Sequence, residues 1–155
     1  MSAGVSVGTL VGLRGEASGL SLDVLAGAAG LERRITMPFL QRMGLALAGV
    51  DEFLRPGRAL IFGESEIRFL ERMDVPARRT ALAAVFAHDL PCVVLTAGLE
   101  PLPELIDAAE TTGIPLLRSS LVTAMAMARL TMLLEDRLAP SEVQHGVLLD
   151  ALGLG

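Results

Sequence analysis

The sequence lacks lysine, tryptophan and tyrosine, and it has only one cysteine and five phenylalanines among its 155 residues. All thirteen basic residues are therefore arginine. Such a chain cannot supply the lysine that contacts the phosphates in a P-loop enzyme, nor a Schiff-base lysine. With few aromatic rings it also lacks the stacking platforms that bind single-stranded nucleic acid. These absences argue against independent kinase activity and against nucleic-acid binding.

The charge balance is acidic, with a net charge of -5 and an isoelectric point near 5.0. Non-specific nucleic-acid binding requires a basic surface that neutralises phosphates, so no nucleic-acid partner is expected. Cys92 cannot form an internal disulfide because it has no second cysteine to pair with. We expect Cys92 to be a small apolar residue in a buried strand, which is compatible with a reducing compartment.

Long apolar runs are also missing, although 52% of the residues are hydrophobic and the mean hydropathy is +0.55. No uncharged segment reaches the roughly 20 apolar residues that a membrane-spanning helix needs, so we expect no membrane insertion. The N-terminus has no basic region before its apolar residues and meets Arg14 and Glu16 early, unlike a secretory signal. We therefore expect a cytoplasmic protein.

From residue 58 onward, short apolar runs typical of buried strands alternate with longer segments of helical period. This order predicts an α/β layered domain with a mostly parallel sheet flanked by helices. The predicted strands are 58–63, 91–97 and 114–119, and the predicted helices are 65–73 with Ser65 as N-cap, 76–88, 103–113 and 121–138.

The N-terminal third has a weaker pattern, and we divide the chain accordingly. Residues 1–36 are predicted to be a small arm, in which a strand around Leu20, Leu22 and Val24 pairs with residues 31–36 beyond a glycine turn. Residues 37–140 form the predicted α/β core, beginning with an irregular connection that holds a short helix near 46–54. Residues 141–155 are predicted to be a final strand.

Candidate ligand-binding residues follow the predicted strands, because ligands of open parallel sheets bind outside the carboxyl ends of the strands. Small hydroxyls, glycines and an arginine at these positions could hold a carboxylate or a phosphate. The same residue types are common in caps and turns, so a purely structural role is the alternative. No metal site is predicted. The candidates are Gly63, Ser65, Thr96, Gly98, Arg118 and Ser119.

The helix at 121–138 is apolar on nearly every face and carries Met125, Met127 and Met132. It is either a central core helix or a helix covered by another subunit. His88, near the end of the helix at 76–88, is expected to interact with the helix dipole.

The tail, "HGVLLDALGLG", is an apolar run that closes on Gly-x-Gly, which is the usual entry to a phosphate-binding loop. Together with "RALIFGESEIRFLERM", "PCVVLTAGLEPLPELIDAAETTGIPLLRSS", "RSSLVTAMAMARLTMLLED" and "LAPSEVQHGVLLDALGLG", it resembles the N-terminal domain of bacterial HPr kinase/phosphorylase. The resemblance covers nearly the whole chain.

The resemblance implies a fold similar to the N-terminal domain of UDP-muramoyl-peptide ligases, and a following P-loop kinase module that this chain lacks. That module would use ATP and Mg to phosphorylate a serine of HPr, and would remove the phosphate by phosphorolysis, in carbon catabolite regulation of the phosphotransferase system. His145 matches a histidine that the family counts with its active site.

The implied role of this chain is that of a non-catalytic interaction or regulatory domain, inactive alone and without a cofactor of its own. Its expected partners are its own kinase module, HPr through the full-length enzyme, and further copies in a homo-oligomer. The alternative function is a sensor of small anions or phosphorylated metabolites at the strand ends.

Overall fold

The structure, a computed structural model, describes residues 4–13 and 20–139. In chain order these residues form β1 (Val5–Ser6), α1 (Val7–Gly12), β2 (Asp23–Ala26), a 3-10 turn (Ala28–Gly30), β3 (Arg34–Ile35), β4 (Gln41–Arg42), α2 (Gly44–Leu47), β5 (Leu60–Phe62), α3 (Glu64–Glu71), α4 (Val75–Phe86), β6 (Val93–Leu95), α5 (Pro103–Thr112), β7 (Leu116–Arg118) and α6 (Thr123–Leu138).

The main sheet has five strands in the order β2-β7-β6-β5-β4. Strands β4, β5, β6 and β7 are parallel to one another, and β2 pairs with the outer side of β7 in the antiparallel direction. Strands β1 and β3 form a separate antiparallel pair. The predicted α/β fold with a mostly parallel sheet is confirmed.

One face of the sheet packs against the four helices α2, α3, α4 and α5. Alternate strand residues point to this face because successive side chains in a strand point to opposite sides. Leu60, Phe62, Val93, Leu95 and Leu116 lie here, each with no exposed surface. Both faces of the central strands are covered, which explains why their sequences are continuously apolar.

The opposite face is covered by α1, α6 and the residues around β2 and β3. Ala126, Leu130 and Leu134, spaced at i, i+4 and i+8, form the buried side of α6. Met125 and Met132 are 43% and 67% exposed. Helix α6 therefore packs one side into the core of this chain and leaves other apolar side chains in solvent, so the prediction that another subunit covers it stays a prediction.

Several local predictions are corrected. The strand near Val24 does not pair with residues 31–36: β2 pairs with β7, while β3 pairs with β1. The N-cap of α3 is Gly63 instead of Ser65, since the helix begins at Glu64. The short helix predicted near 46–54 is α2, which begins at Gly44 and ends at Leu47.

The described part of residues 1–36 is integrated with the rest of the fold. It contributes the edge strand β2 to the main sheet and core side chains such as Val7 and Ile35, both fully buried. The predicted strand at 141–155, with His145, lies outside the described residues.

Arg33 ties this N-terminal region to the end of α5. Its guanidinium donates hydrogen bonds to the carbonyl oxygens of Gly113 at 3.1 Å, Leu90 at 3.1 Å and Thr112 at 3.4 Å, and it forms an ion pair with Asp89 at 3.1 Å. The carbonyls of Thr112 and Gly113 lie at the end of α5, where carbonyl groups lack partners within the helix, and the Leu90 carbonyl lies shortly before β6. Arg33 therefore fixes the turn at 27–33 against the sheet.

Cys92 occupies a fully buried position against the α6 face of the sheet, as predicted. Burial raises the pKa of the Cys92 thiol to about 12, because the thiolate cannot be solvated there. Since the thiolate is the nucleophile, we expect native protein at pH 8 to react with a disulfide reagent such as DTNB only as fast as it unfolds. Rapid labelling without denaturant, compared with the same chain in urea, would contradict the burial.

His88 lies just beyond α4, where its amide donates to the Val85 carbonyl at 3.2 Å. Its ring Nε2 lies 2.9 Å from Asp51 Oδ2, which ties the connection before β5 to the end of α4. The hydrogen bond with His88 lowers the pKa of Asp51 below its ordinary value of 3.8. The ring thus pairs with a carboxylate, in addition to any interaction with the helix dipole.

The lowered pKa of Asp51 predicts how the stability of the fold changes with pH. The folded chain holds a proton on Asp51 less tightly than the unfolded chain, so the pair stabilises the fold above about pH 4 and is lost as the pH falls through the lowered pKa. Urea unfolding between pH 6 and pH 2.5 measures this dependence. We expect the free energy of unfolding to fall less steeply with falling pH in Asp51→Asn than in the parent. The control is Glu52→Gln, which removes the neighbouring exposed charge and should keep the slope of the parent.

Candidate functional site at the carboxyl edge of the sheet

The carboxyl ends of β4, β5, β6 and β7 meet at one edge, which brings together side chains that are distant in sequence. Strand β4 ends at Arg42, β5 is followed by Gly63 and α3, β6 by Thr96, and β7 ends at Arg118. Helix α6 begins at this edge with Thr123. The candidate residues fall into two clusters, one around Gly63 and one around Gly98.

The first cluster is organised by Glu66, a carboxylate with only 4% exposure. Its Oε1 accepts a hydrogen bond from the backbone N–H of Gly63 at 2.8 Å and from the Ser65 hydroxyl at 3.2 Å. Arg42 donates to both carboxylate oxygens, at 3.3 and 3.4 Å. Glu66 therefore satisfies an N-terminal amide of α3 and neutralises a cation at the same time.

Thr96 completes this cluster from the next strand. Its hydroxyl is fully buried and lies 2.8 Å from the hydroxyl of Thr123. A β-carbon at Gly63 would lie 2.9 Å from the same Thr123 oxygen. A larger residue at this position would therefore have to displace the Thr123 side chain, and the glycine leaves room for its hydroxyl.

The second cluster is a tight turn between β6 and α5, which packs against the loop that follows β7. Ala97 and Gly98 both adopt left-handed backbone conformations, with φ of 58° and 61°. Their amides donate to the carbonyls of Leu121 at 2.7 Å and Ser119 at 2.9 Å. The Ser119 hydroxyl accepts from the Leu121 amide at 3.1 Å. These polar groups hold the two loops together.

Arg118 lies beside this turn and its side chain is 29% exposed. Its guanidinium donates to the Leu99 carbonyl at 3.3 Å and lies 3.7 Å from the exposed carboxylate of Glu100. These contacts leave part of the fork open to solvent, so Arg118 is the member of the second cluster with donors to spare.

The six residues predicted from their positions after the strands therefore divide between the two clusters. The first cluster contains Gly63, Ser65 and Thr96, and the second contains Gly98, Arg118 and Ser119. Sequence reasoning missed Arg42 and Thr123, and it missed the organising role of Glu66. A signal for Glu66 was present, because a glutamate three residues after the N-cap is the second half of a capping box.

Most polar side chains of the two clusters are bonded to other groups of the protein. The Glu66 carboxylate is engaged by Gly63, Ser65 and Arg42. The hydroxyls of Thr96 and Thr123 are bonded to each other, and the Ser119 hydroxyl is bonded to the Leu121 amide. Within residues 4–13 and 20–139, no three His, Cys, Asp or Glu side chains are placed to hold a metal ion. None of the helices in the same ranges is both long and apolar enough to cross a bilayer.

Comparison with known proteins identifies the chain's relatives. Residues 10–134 match a family model described as HPr Serine kinase N terminus. The chain is 37% identical to HPr kinase/phosphorylase of Bacillus licheniformis, over 86% of this chain and 43% of that protein. It is 38% identical to the Clostridium beijerinckii protein of the same name, over 88% and 45% of the two chains. The chain thus spans less than half the length of these relatives.

A solved structure shares the fold. It contains the CBS and DRTGG domains of the regulatory region of Clostridium perfringens pyrophosphatase, complexed with the activator diadenosine tetraphosphate. The TM-score is 0.52 and the sequence identity 16%, over 77% of this chain and 46% of the other. At this identity the likeness concerns the fold alone.

Proposed function

The chain belongs to the HPr Serine kinase N terminus family, and on that premise we propose that it is a non-catalytic interaction or regulatory domain of an HPr kinase/phosphorylase. In this proposal a separate module binds ATP and Mg and acts on a serine of HPr in the cytoplasm, as part of carbon catabolite regulation. The domain described here contributes contacts instead of chemistry.

The observation that supports the proposal is the closed bonding of the strand-end cluster. A catalytic base needs a free acceptor beside the group it deprotonates, but the oxygens of Glu66 are occupied by Gly63, Ser65 and Arg42. Phosphoryl transfer also relies on cationic groups and a metal around the transferred phosphate. The whole sequence has no lysine to serve there.

Titration with Mg-ATP tests this proposal. The purified chain should give no saturable heat in isothermal titration calorimetry at nucleotide concentrations up to several millimolar. HPr kinase/phosphorylase from Bacillus subtilis, which is 37% identical over 87% of this chain, is the matched control and should bind. Saturable binding of Mg-ATP by the chain itself would contradict the assignment of nucleotide binding to a separate module.

Oligomerisation belongs to the same proposal. Val122, Met125 and Met132 expose 60%, 43% and 67% of their surface along α6. Exposed methionines suit adaptable contacts with another subunit or with the kinase module. Analytical sedimentation over a wide concentration range tests this on the parent chain and on the double variant Met125→Ser with Met132→Ser. The double variant loses only a contact that is made through α6, so an association seen in the parent and lost in the variant runs through this helix.

A second candidate function is recognition of a small anion at the carboxyl edge. Its favouring observation is that Arg42 and Arg118 bring two guanidinium groups to this edge, with side chains 45% and 29% exposed. Ligand binding stabilises the native state by mass action, by about 2.7 kcal/mol at a hundredfold excess over Kd.

The anion hypothesis is tested by thermal unfolding with inorganic phosphate, glucose 6-phosphate and fructose 1,6-bisphosphate. We expect a rise in Tm that is lost in Arg118→Ala and retained in Arg137→Ala, which removes an exposed arginine from the last turn of α6. If no compound shifts the Tm, or if Arg118→Ala behaves like the parent, this function is excluded.

A further inference from the structure

A groove of about 290 Å³ lies beside the outer strand β4, on the side away from β5. It is formed by β4, by α2 and by the connection that leads into β5. Its lining includes Leu40, Gln41, Leu45, Phe53, Leu54 and Arg58. None of the candidate residues predicted at the strand ends lines it, but Arg42, which pairs with Glu66 in the first cluster, does, so the groove adjoins the site described above.

The rim of the groove is unusually apolar for a solvent-facing surface. Phe39, Leu45 and Phe53 expose 53%, 65% and 58% of their surface. Leu45 and Phe53 line the groove, and Phe39 lies under the guanidinium of Arg58, which is 5.5 Å from the centre of its ring. Clustered exposed apolar side chains mark interaction surfaces, whereas single ones do not.

Arg58 places an uncompensated cation among these side chains. Its Nε–H is buried and has no hydrogen-bond partner within the described residues. No carboxylate in residues 4–13 or 20–139 forms an ion pair with it. The other arginine that lines the groove, Arg42, is paired with Glu66. In a chain with a net charge of -5, the groove therefore holds one guanidinium that has no carboxylate partner among the described residues.

The groove is held open before any partner arrives. The Gln41 side chain donates to the Phe53 carbonyl at 2.8 Å and accepts from the Arg55 amide at 2.8 Å. These two bonds fix the connection beside β4. A partner that binds through side chains in the groove meets a fixed loop, which lowers the entropy cost of that binding.

From these contacts we propose that the Arg58 groove binds a peptide segment of another protein that combines apolar side chains with a carboxylate. The carboxylate would pair with the Arg58 fork, and the apolar side chains would cover Phe39, Leu45 and Phe53. The spread of three large rim residues around one cation suits an extended peptide better than a small acid. This inference deepens the proposed interaction role and rests on it.

Selection from a phage library of random 12-residue peptides on the immobilised full chain tests the inference. We expect enriched peptides to pair Asp or Glu with aromatic or aliphatic residues. Enrichment should be lost on Arg58→Gln and on Phe53→Ser, and kept on Arg137→Gln, an exposed arginine far along the chain. The best peptide, made synthetically and labelled, should bind at least tenfold more weakly to Arg58→Gln in fluorescence anisotropy, and Asp→Asn in the peptide should cost the same factor.

Three results would overturn the inference: no enrichment, enriched peptides without a carboxylate, or equal recovery on Arg58→Gln. Circular dichroism and Tm confirm that each variant is folded, and Leu45→Ser serves as a second rim variant. A self-association that Arg58→Gln and Phe53→Ser both abolish would also overturn it, because the occupant would then be a second copy. Failure here is distinct from failure of the non-catalytic role, which phosphoryl transfer to HPr by this chain would refute.

Discussion

Gly30→Ala should destabilise the folded chain by about 3 kcal/mol or more, a large fraction of a typical domain's stability. A β-carbon at residue 30 would lie 1.8 Å from the carbonyl oxygen of Gly113. The obstructing atom belongs to the backbone, so no side-chain rotation can relieve the clash. The turn held by Arg33 would have to move away from the end of α5. Urea unfolding followed by circular dichroism measures the loss.

Two other glycines separate the possible causes. Gly113 has open space around it but a φ of +72°, so Gly113→Ala should cost about 1–2 kcal/mol from backbone strain alone. Gly12 is in α1 with nothing within 4 Å, so Gly12→Ala should be neutral or stabilising by about 0.5–1 kcal/mol. If Gly30→Ala loses no more stability than Gly113→Ala, the close approach of the two backbones is wrong.

Glu66→Ala should cost about 2–3 kcal/mol, because it removes a buried acceptor and leaves a buried Gly63 amide without a partner. The Arg42 ion pair adds less than a fully buried pair would, since the Arg42 side chain is 45% exposed. Stability from equilibrium unfolding should fall without any change in the oligomeric state or in the spectrum of the folded chain.

Glu66→Gln is the matched control, because its amide oxygen can still accept from the Gly63 amide. We expect it to lose only about 1 kcal/mol, the scale of one weakened charged hydrogen bond. Glu64→Ala removes the exposed partner of Arg68 one turn apart and should cost about 0.3–0.5 kcal/mol. Equal losses for Glu66→Ala and Glu64→Ala would show that Glu66 is not the organising group of the strand-end cluster.

The parallel strands and the long helices were predictable because their signals are local. Continuous apolar runs indicate strands buried on both faces, and Pro103 with Gly113 delimits α5 at both ends. The pairing of β2 was not predictable in this way. Val24 pairs with Leu117 across most of the chain, and the alternating pattern of a strand carries no information about which partner it will find.

The position of the candidate site could be predicted from the order of strands and helices, because that order alone determines which strand ends lie together. Parallel strands place Gly63 and Thr96 at one edge whatever the side chains do. Arg42 and Thr123 escaped notice because they come from a two-residue strand and from the start of a helix, where local sequence gives no strand-end signal. The structure adds that many polar groups of the two clusters are bonded to one another or to backbone, whereas Arg118 remains partly exposed.

The Arg58 groove lies in the segment whose pattern was least regular. The sequence predicted an irregular connection with one short helix at the start of the α/β core, because the glycines and prolines there interrupt any regular period. The exposure of Phe39, Leu45 and Phe53 depends on how this connection folds over β4. Sequence periodicity can predict which face of a regular element is buried, but it cannot do so for an irregular loop.

Phosphoryl transfer to HPr is the most direct test of the non-catalytic role. The purified chain is incubated with HPr, ATP and Mg, and the mass of intact HPr is then measured by mass spectrometry. Bacillus subtilis HPr kinase/phosphorylase is the positive control. We predict that HPr keeps its unmodified mass with this chain and gains one phosphate with the control. A phosphorylated serine on HPr produced by this chain alone would contradict the central claim.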